Sequence, residues 1–188
     1  MSGRRAGVCV LMAVAALGVP TPALAQLSMG AFSGQATGHV GAAIGNDNAG
    51  SAVSIGASLA VLEASGWGAE VDFGYAYSGN DPGDLDAQSY MVNAIGVWPK
   101  GQLRPFGVAG IGAIRARTCV AGCAATEGWT DLGFTGGGGL QYLLSDTFAV
   151  RADARYFTAL GDYPDPARAS LSYWRIAVGA TFLWVIAP

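Results

Sequence analysis

The sequence predicts an all-β chain, an eight-stranded antiparallel up-and-down transmembrane β-barrel. Three observations lead there. Charged residues make up 12% of the 188 residues, about half the share of ordinary soluble domains, and Lys100 is the one lysine. Apolar residues make up 52%, yet beyond residue 25 they never run for the about 18 residues that a membrane helix needs. Instead they alternate with Gly, Ser, Ala and an occasional charge over about 8–11 residues, the length of a tilted membrane-spanning strand. Such a chain cannot build a water-facing surface. Alternating strands closed into a barrel satisfy every backbone group in lipid.

Residues 1–25 read as a secretory signal peptide. Arg4 and Arg5 are its basic start, Ala6 to Val19 its short apolar run, and Ala23-Leu24-Ala25 its small-residue cleavage site. Residues 26–188 then form one barrel domain. Its acids outnumber its bases, which argues against nucleic acid as a partner.

Eight strands are expected, roughly at 36–45, 51–62, 66–78, 88–99, 103–117, 129–143, 147–158 and 171–184. The first alternates weakly, with Val40, Ala42 and Ile44 as its apolar row. The second carries Val53, Ile55, Ala57, Leu59 and Val61 on one face. In the third, Trp67, Ala69, Val71, Phe73, Tyr75 and Tyr77 oppose Gly68, Glu70, Asp72, Gly74 and Ala76. The fifth is glycine-rich and leaves the face of Arg115 and Arg117 open. In the sixth, Leu132, Phe134, Leu140 and Tyr142 oppose Gly133, Thr135 and Gln141; in the eighth, Trp174, Ile176, Val178, Ala180, Phe182 and Trp184 oppose Arg175, Gly179 and Thr181. Tight connections follow the second, fourth and sixth strands. Long ones follow the third (79–87), fifth (118–128) and seventh (159–170), as an outer-membrane barrel with short periplasmic turns requires.

The seventh strand is the most telling. In AVRADARYF, Arg151, Asp153 and Arg155 share one face. With Glu70, Asp72 and Arg175 they give three acids and three arginines, a balanced set that can pair inside a narrow lumen filled by side chains. The 29 glycines leave room for them. Trp67, Tyr77, Trp98, Tyr142, Tyr156, Trp174 and Trp184 lie near strand ends on the opposite faces, where membrane-interface aromatics belong. A soluble ligand barrel would invert these faces, but polar faces so poor in charge would not dissolve it.

The segment PFGVAGIGA at 105–113, the run GGGGLQY at 136–142 and RADARY at 151–156 together resemble the outer-membrane β-barrel family, typified by the transmembrane domain of outer-membrane protein A. The resemblance covers the mature chain, best from about Ser89 onward. It implies a bacterial outer-membrane location, contact with outer-membrane lipid and lipopolysaccharide, and insertion by the barrel-assembly machinery. Two features depart from it. A periplasmic peptidoglycan-binding domain is not expected after the last strand, and Phe182 and Trp184 are followed by Val-Ile-Ala-Pro where relatives finish on an aromatic residue.

Candidate sites are few. Cys119 and Cys123, in an oxidising compartment, suggest a small loop disulfide, with two loop thiols as the alternative. Asp81, Asp84 and Asp86 make an acidic loop without the spacing of a calcium site, and Asp162 and Asp165 make another. His39 is the one histidine and has no serine motif around it, so no catalytic residue, metal or cofactor is expected. The expected role is structural or in surface interaction through a ligand of the long loops. A small passive pore and a lipid-modifying enzyme are the alternatives.

Overall fold

The computed structural model describes residues 32–45, 51–77, 85–98, 101–120, 125–160 and 171–186. They form eight strands: β1 (Phe32–Gly45), β2 (Ser51–Leu62), β3 (Trp67–Tyr77), β4 (Leu85–Val97), β5 (Leu103–Val120), β6 (Ala125–Leu143), β7 (Phe148–Ala159) and β8 (Ser172–Ile186). Each pairs antiparallel with the next, and β8 closes on β1, so the sheet is a barrel without an edge. β1 is paired on both sides, from Phe32 against Ile186 to Gly45 against Tyr173 on the β8 side. That closure carries it four residues further back than its weak alternation suggests.

The described turns at one end are tight, for local reasons. Gly66, at φ 86°, completes the β2–β3 turn, in which its N–H donates to the Glu63 carbonyl at 2.9 Å. Ser145 Oγ accepts from the backbone N–H of Thr147 at 3.3 Å and of Phe148 at 3.1 Å, which shapes the β6–β7 turn. This is the turn end. The other, loop end holds the connections 46–50, 78–84, 121–124 and 161–170, outside the described residues.

Period-two burial runs along every strand. On β2, Val53, Ile55, Leu59 and Val61 face outward at 45–63% exposure, while Ser54, Ser58 and Leu62 face the lumen. From Trp67 to Tyr77, ten steps of about 3.3 Å tilted by about 40° rise about 25 Å, the height of the apolar band of such barrels. Outward aromatics mark both rims. Trp67 and Trp98 pack edge to face at the turn end, and Tyr156 packs on Trp174 toward the loop end.

The structure differs from the sequence reading at several points. β4 begins at Leu85, so Asp86, expected in an acidic loop, lies on the strand opposite Arg117. β5 and β6 continue as a paired hairpin, with Thr118 against Glu127 and Val120 against Ala125, so the connection shrinks to residues 121–124. Cross-strand backbone bonds, which need no alternation, hold this extension. Arg115 and Arg117, of open orientation in the sequence, face outward. The lumen, expected to hold charged and small side chains, also holds large apolar ones. The signal segment, Cys123, Asp81, Asp84, Asp162 and Asp165 lie outside the described residues, as does the side chain of Cys119, so the proposed disulfide has no described geometry.

Candidate functional site in the lumen

In a closed ring of eight, β3 and β7 stand opposite each other, four steps apart either way. The inward face of β3 carries Glu70 and Asp72, and that of β7 carries Arg151, Asp153 and Arg155. Arg175 joins from β8, His39 from β1 and Asn93 from β4. All are buried, Arg155, Arg175 and Glu70 each at 1% exposure. The six charged residues singled out in the sequence are therefore brought together.

Arg155 reaches across the bore and donates through both terminal nitrogens to Glu70, at 2.7 Å and 3.3 Å. Asn93 Nδ2 donates to the same carboxylate at 3.0 Å. Arg175 grips Asp72 in the same two-pronged way, at 2.9 Å and 3.1 Å. Weaker ion pairs tie the two clusters together. Arg155 Nη1 lies 3.5 Å from Asp72, and Arg151 lies 3.1 Å from Glu70 and 3.3 Å from Asp153. Arg151 also stacks 3.9 Å over the Phe106 ring, and Arg175 sits 5.0 Å over Phe157. Burying this much charge is tolerable because each group finds opposite charge within a few ångströms.

A glycine permits one of these grips. A Cβ on Gly74 would stand 2.7 Å from both Arg175 Nη1 and Ser89 Oγ, so the bare backbone there gives the guanidinium its seat.

Apolar clusters flank the charges at both ends, with the buried Gln35, Arg104 and Gln141 beside the turn-side one. Toward the turns, Leu62, Ile95, Val97, Phe106 and Val108 pack together inside the barrel. Toward the loops, Met91, Ile114, Phe157, Leu171 and Tyr173 do so, with Phe157 and Tyr173 stacked at 4.9 Å. The lumen is thus a layered core.

One inward charged residue escaped the sequence reading, and His39, read there as a lumen or rim residue, lies in the lumen. Arg104, near the turn end of β5, is buried at 8% exposure and meets no acid among the described residues. Its parity with Phe106 and Val108 could have revealed it, had the inward row of β5 been recognised as apolar. His39 lies with Nε2 3.4 Å from Asp72 Oδ2. Among the described residues no group of three or more His, Cys, Asp or Glu side chains is placed to hold a metal ion. The acids here face guanidinium groups instead.

The family model for the outer membrane protein beta-barrel domain matches residues 9–182. The chain belongs to that family. Its place is accordingly the bacterial outer membrane. Neisserial surface protein A (NspA) is similar in structure, with a TM-score of 0.62 at 18% identity, over 80% of this chain and 96% of that one. The N-terminal β-barrel domain of Pseudomonas aeruginosa OprF gives 0.59 at 14% identity, over 81% and 97%. Ail, the attachment invasion locus protein of Yersinia pestis, gives 0.54 at 19%, over 83% and 100%. The outer membrane enzyme PagL shares the fold too, at 0.51 and 17% identity, over 78% and 97%. At these identities the likeness is one of fold. No curated protein matches the sequence.

Proposed function

We propose that the protein is a structural or surface-interaction barrel of the outer membrane, with a closed lumen and its long loops outside the cell. The observation that carries this reading is the Glu70–Arg155 pair, 2.7 Å long between opposite walls. A through-channel would have to part it, together with the apolar layers above and below. The pore alternative is correspondingly weak. The enzyme alternative is weak for another reason: His39 is buried in the lumen beside Asp72, where substrate lipid does not reach. Short turns toward the periplasm and long loops outward give the orientation. Residues 1–25 serve as the cleaved export signal, the barrel-assembly machinery inserts the chain, and lipopolysaccharide surrounds its outer half. Cys119 and Cys123 form a disulfide, which mass spectrometry after thiol alkylation checks.

Three measurements test the main reading. The folded barrel stays with membranes after carbonate extraction and migrates differently on gels before and after boiling. In planar bilayers it gives no stable conductance steps. Incubated with lipid A or phospholipid, it releases no acyl chain. Steady single-channel currents would revive the pore, and acyl release that disappears in His39→Ala would revive the enzyme.

A further inference from the structure

Among the described residues, charge on the outward faces of the strands is confined to one sector. Among the described outward-facing strand residues, the charged ones are Asp86, Arg115 and Arg117, all at the loop end of β4 and β5. Register sets Arg115 between Gln88 on β4 and Thr130 on β6, and Arg117 between Asp86 and Gly128. Gln88 in turn lies opposite Tyr75 of β3, so Arg115 shares a row with a tyrosine of the loop-end aromatic rim. The rings of Tyr75 and Tyr77 stack at 6.4 Å. Tyr75 donates to Asp86 Oδ2 at 3.4 Å, and Tyr90 donates to Gln88 Oε1 at 3.3 Å.

Depth fixes what these arginines meet. Ile111, four residues before Arg115 on the same face, is 53% exposed and belongs to the lipid-contacting band. Four tilted strand steps lift Arg115 about 10 Å above it, which is headgroup level. Neither arginine makes an ion pair with a described carboxylate, and the one described outward acid nearby, Asp86, takes the Tyr75 hydroxyl. Two guanidinium groups at the rim of an apolar wall, with tyrosine hydroxyls alongside, match a phosphate carried on a lipid headgroup.

We propose that Arg115 and Arg117, flanked by Tyr75 and Tyr90, bind the phosphate of an outer-leaflet glycolipid headgroup. The site gives residues to the lipopolysaccharide contact proposed above and rests on that orientation.

The test uses the folded protein in neutral detergent, with heat-modifiable gel mobility as the check on folding. The probes are bisphosphorylated lipid A, the same lipid without phosphates, and inorganic phosphate. The wild type binds the phosphorylated lipid at least about tenfold tighter than its dephosphorylated form. The variant Arg115→Gln/Arg117→Gln weakens that binding about thirtyfold, while Arg104→Gln, which removes a lumen arginine, leaves it unchanged. Asp86→Asn tightens it by removing the acid opposite Arg117. Equal binding of the two lipids, or full retention by the double variant, would overturn the site. Displacement of the lipid by an equal concentration of inorganic phosphate would overturn the lipid assignment. Failure of the membrane reading itself appears separately, as a soluble and heat-insensitive protein.

Discussion

Along β7 the lumen changes character twice: Ala149 belongs to its apolar lower part, Arg151, Asp153 and Arg155 to its charged middle, Phe157 and Ala159 to its apolar upper part. The apolar parts fill space and need no particular partner. The charged middle must be met from the opposite wall, by Glu70 and Asp72 of β3. Replacing a buried ion pair by well-packed apolar groups is often neutral or stabilising, so stability alone does not explain the charges. Register does. Sliding a strand by one residue sends every side chain to the other face. For β7 that slip would put two arginines and an aspartate into lipid, at about 2–4 kcal/mol for each arginine near the midplane. A slip on β4 would send out no charge, only the polar Ser89 and Asn93 with the apolar Met91 and Ile95, at smaller cost. The middle layer specifies which face is inside, and the ends only pack.

The largest expected effect tests that division. Arg155→Leu strips Glu70 of its trans-lumen partner and should cost about 3–5 kcal/mol in urea unfolding of the folded barrel in lipid vesicles. Adding Glu70→Gln restores the charge balance and should recover a large part, a coupling of about 1–3 kcal/mol. Arg175→Leu should cost less, because Asp72 keeps Arg155 at 3.5 Å and His39 at 3.4 Å. If Arg155→Leu costs no more than an ordinary cavity, or the pair shows no coupling, the charged layer is filler like its neighbours.

The next effect compares the lumen ends with the outer wall. Ile95 is 1% exposed in the lower apolar layer, whereas Leu59 faces lipid. Ile95→Ala leaves a cavity that nothing refills and should cost about 3–4 kcal/mol. Leu59→Ala loses only the transfer of its carbons, since acyl chains close the gap, and should cost about 2 kcal/mol. The same unfolding assay reads both. Equal costs would mean that the lower lumen is loosely packed.

The division also explains what could be read in the sequence. β3 and β7 were legible because charge marks one face and aromatic or aliphatic residues the other; the eight strands and the six charged lumen residues followed from that contrast. β4 was legible only in part. Its strand and its inward Asn93 were readable, but Met91, Ile95 and Val97 inside and Val92 and Ala94 outside are all apolar, so those five positions by themselves do not distinguish lumen from lipid. Arg104 was missed because a lone arginine beside Pro105 reads as the start of a strand. The outward direction of Arg115 and Arg117 became visible only through register with Gln88 and Asp86, a long-range fact that local spacing does not carry.

The smallest effects come from two glycines that composition treats alike. Gly74 faces the charged layer, and an added methyl there would crowd Arg175 Nη1, the far end of a flexible side chain that can move only by loosening its hold on Asp72. Gly74→Ala should therefore cost about 1–2 kcal/mol, and much less in an Arg175→Leu background, where the guanidinium is gone. Gly136 faces outward and an added Cβ meets nothing within 4 Å. Gly136→Ala removes unfolded-chain freedom without a clash and should be neutral or stabilising by up to about 1 kcal/mol. Unfolding midpoints of the two variants, alone and with Arg175→Leu, separate the cases. A Gly74→Ala cost that persists undiminished after Arg175→Leu would show that the barrier is Ser89 and the sheet, and that Gly74 has no part in seating the arginine.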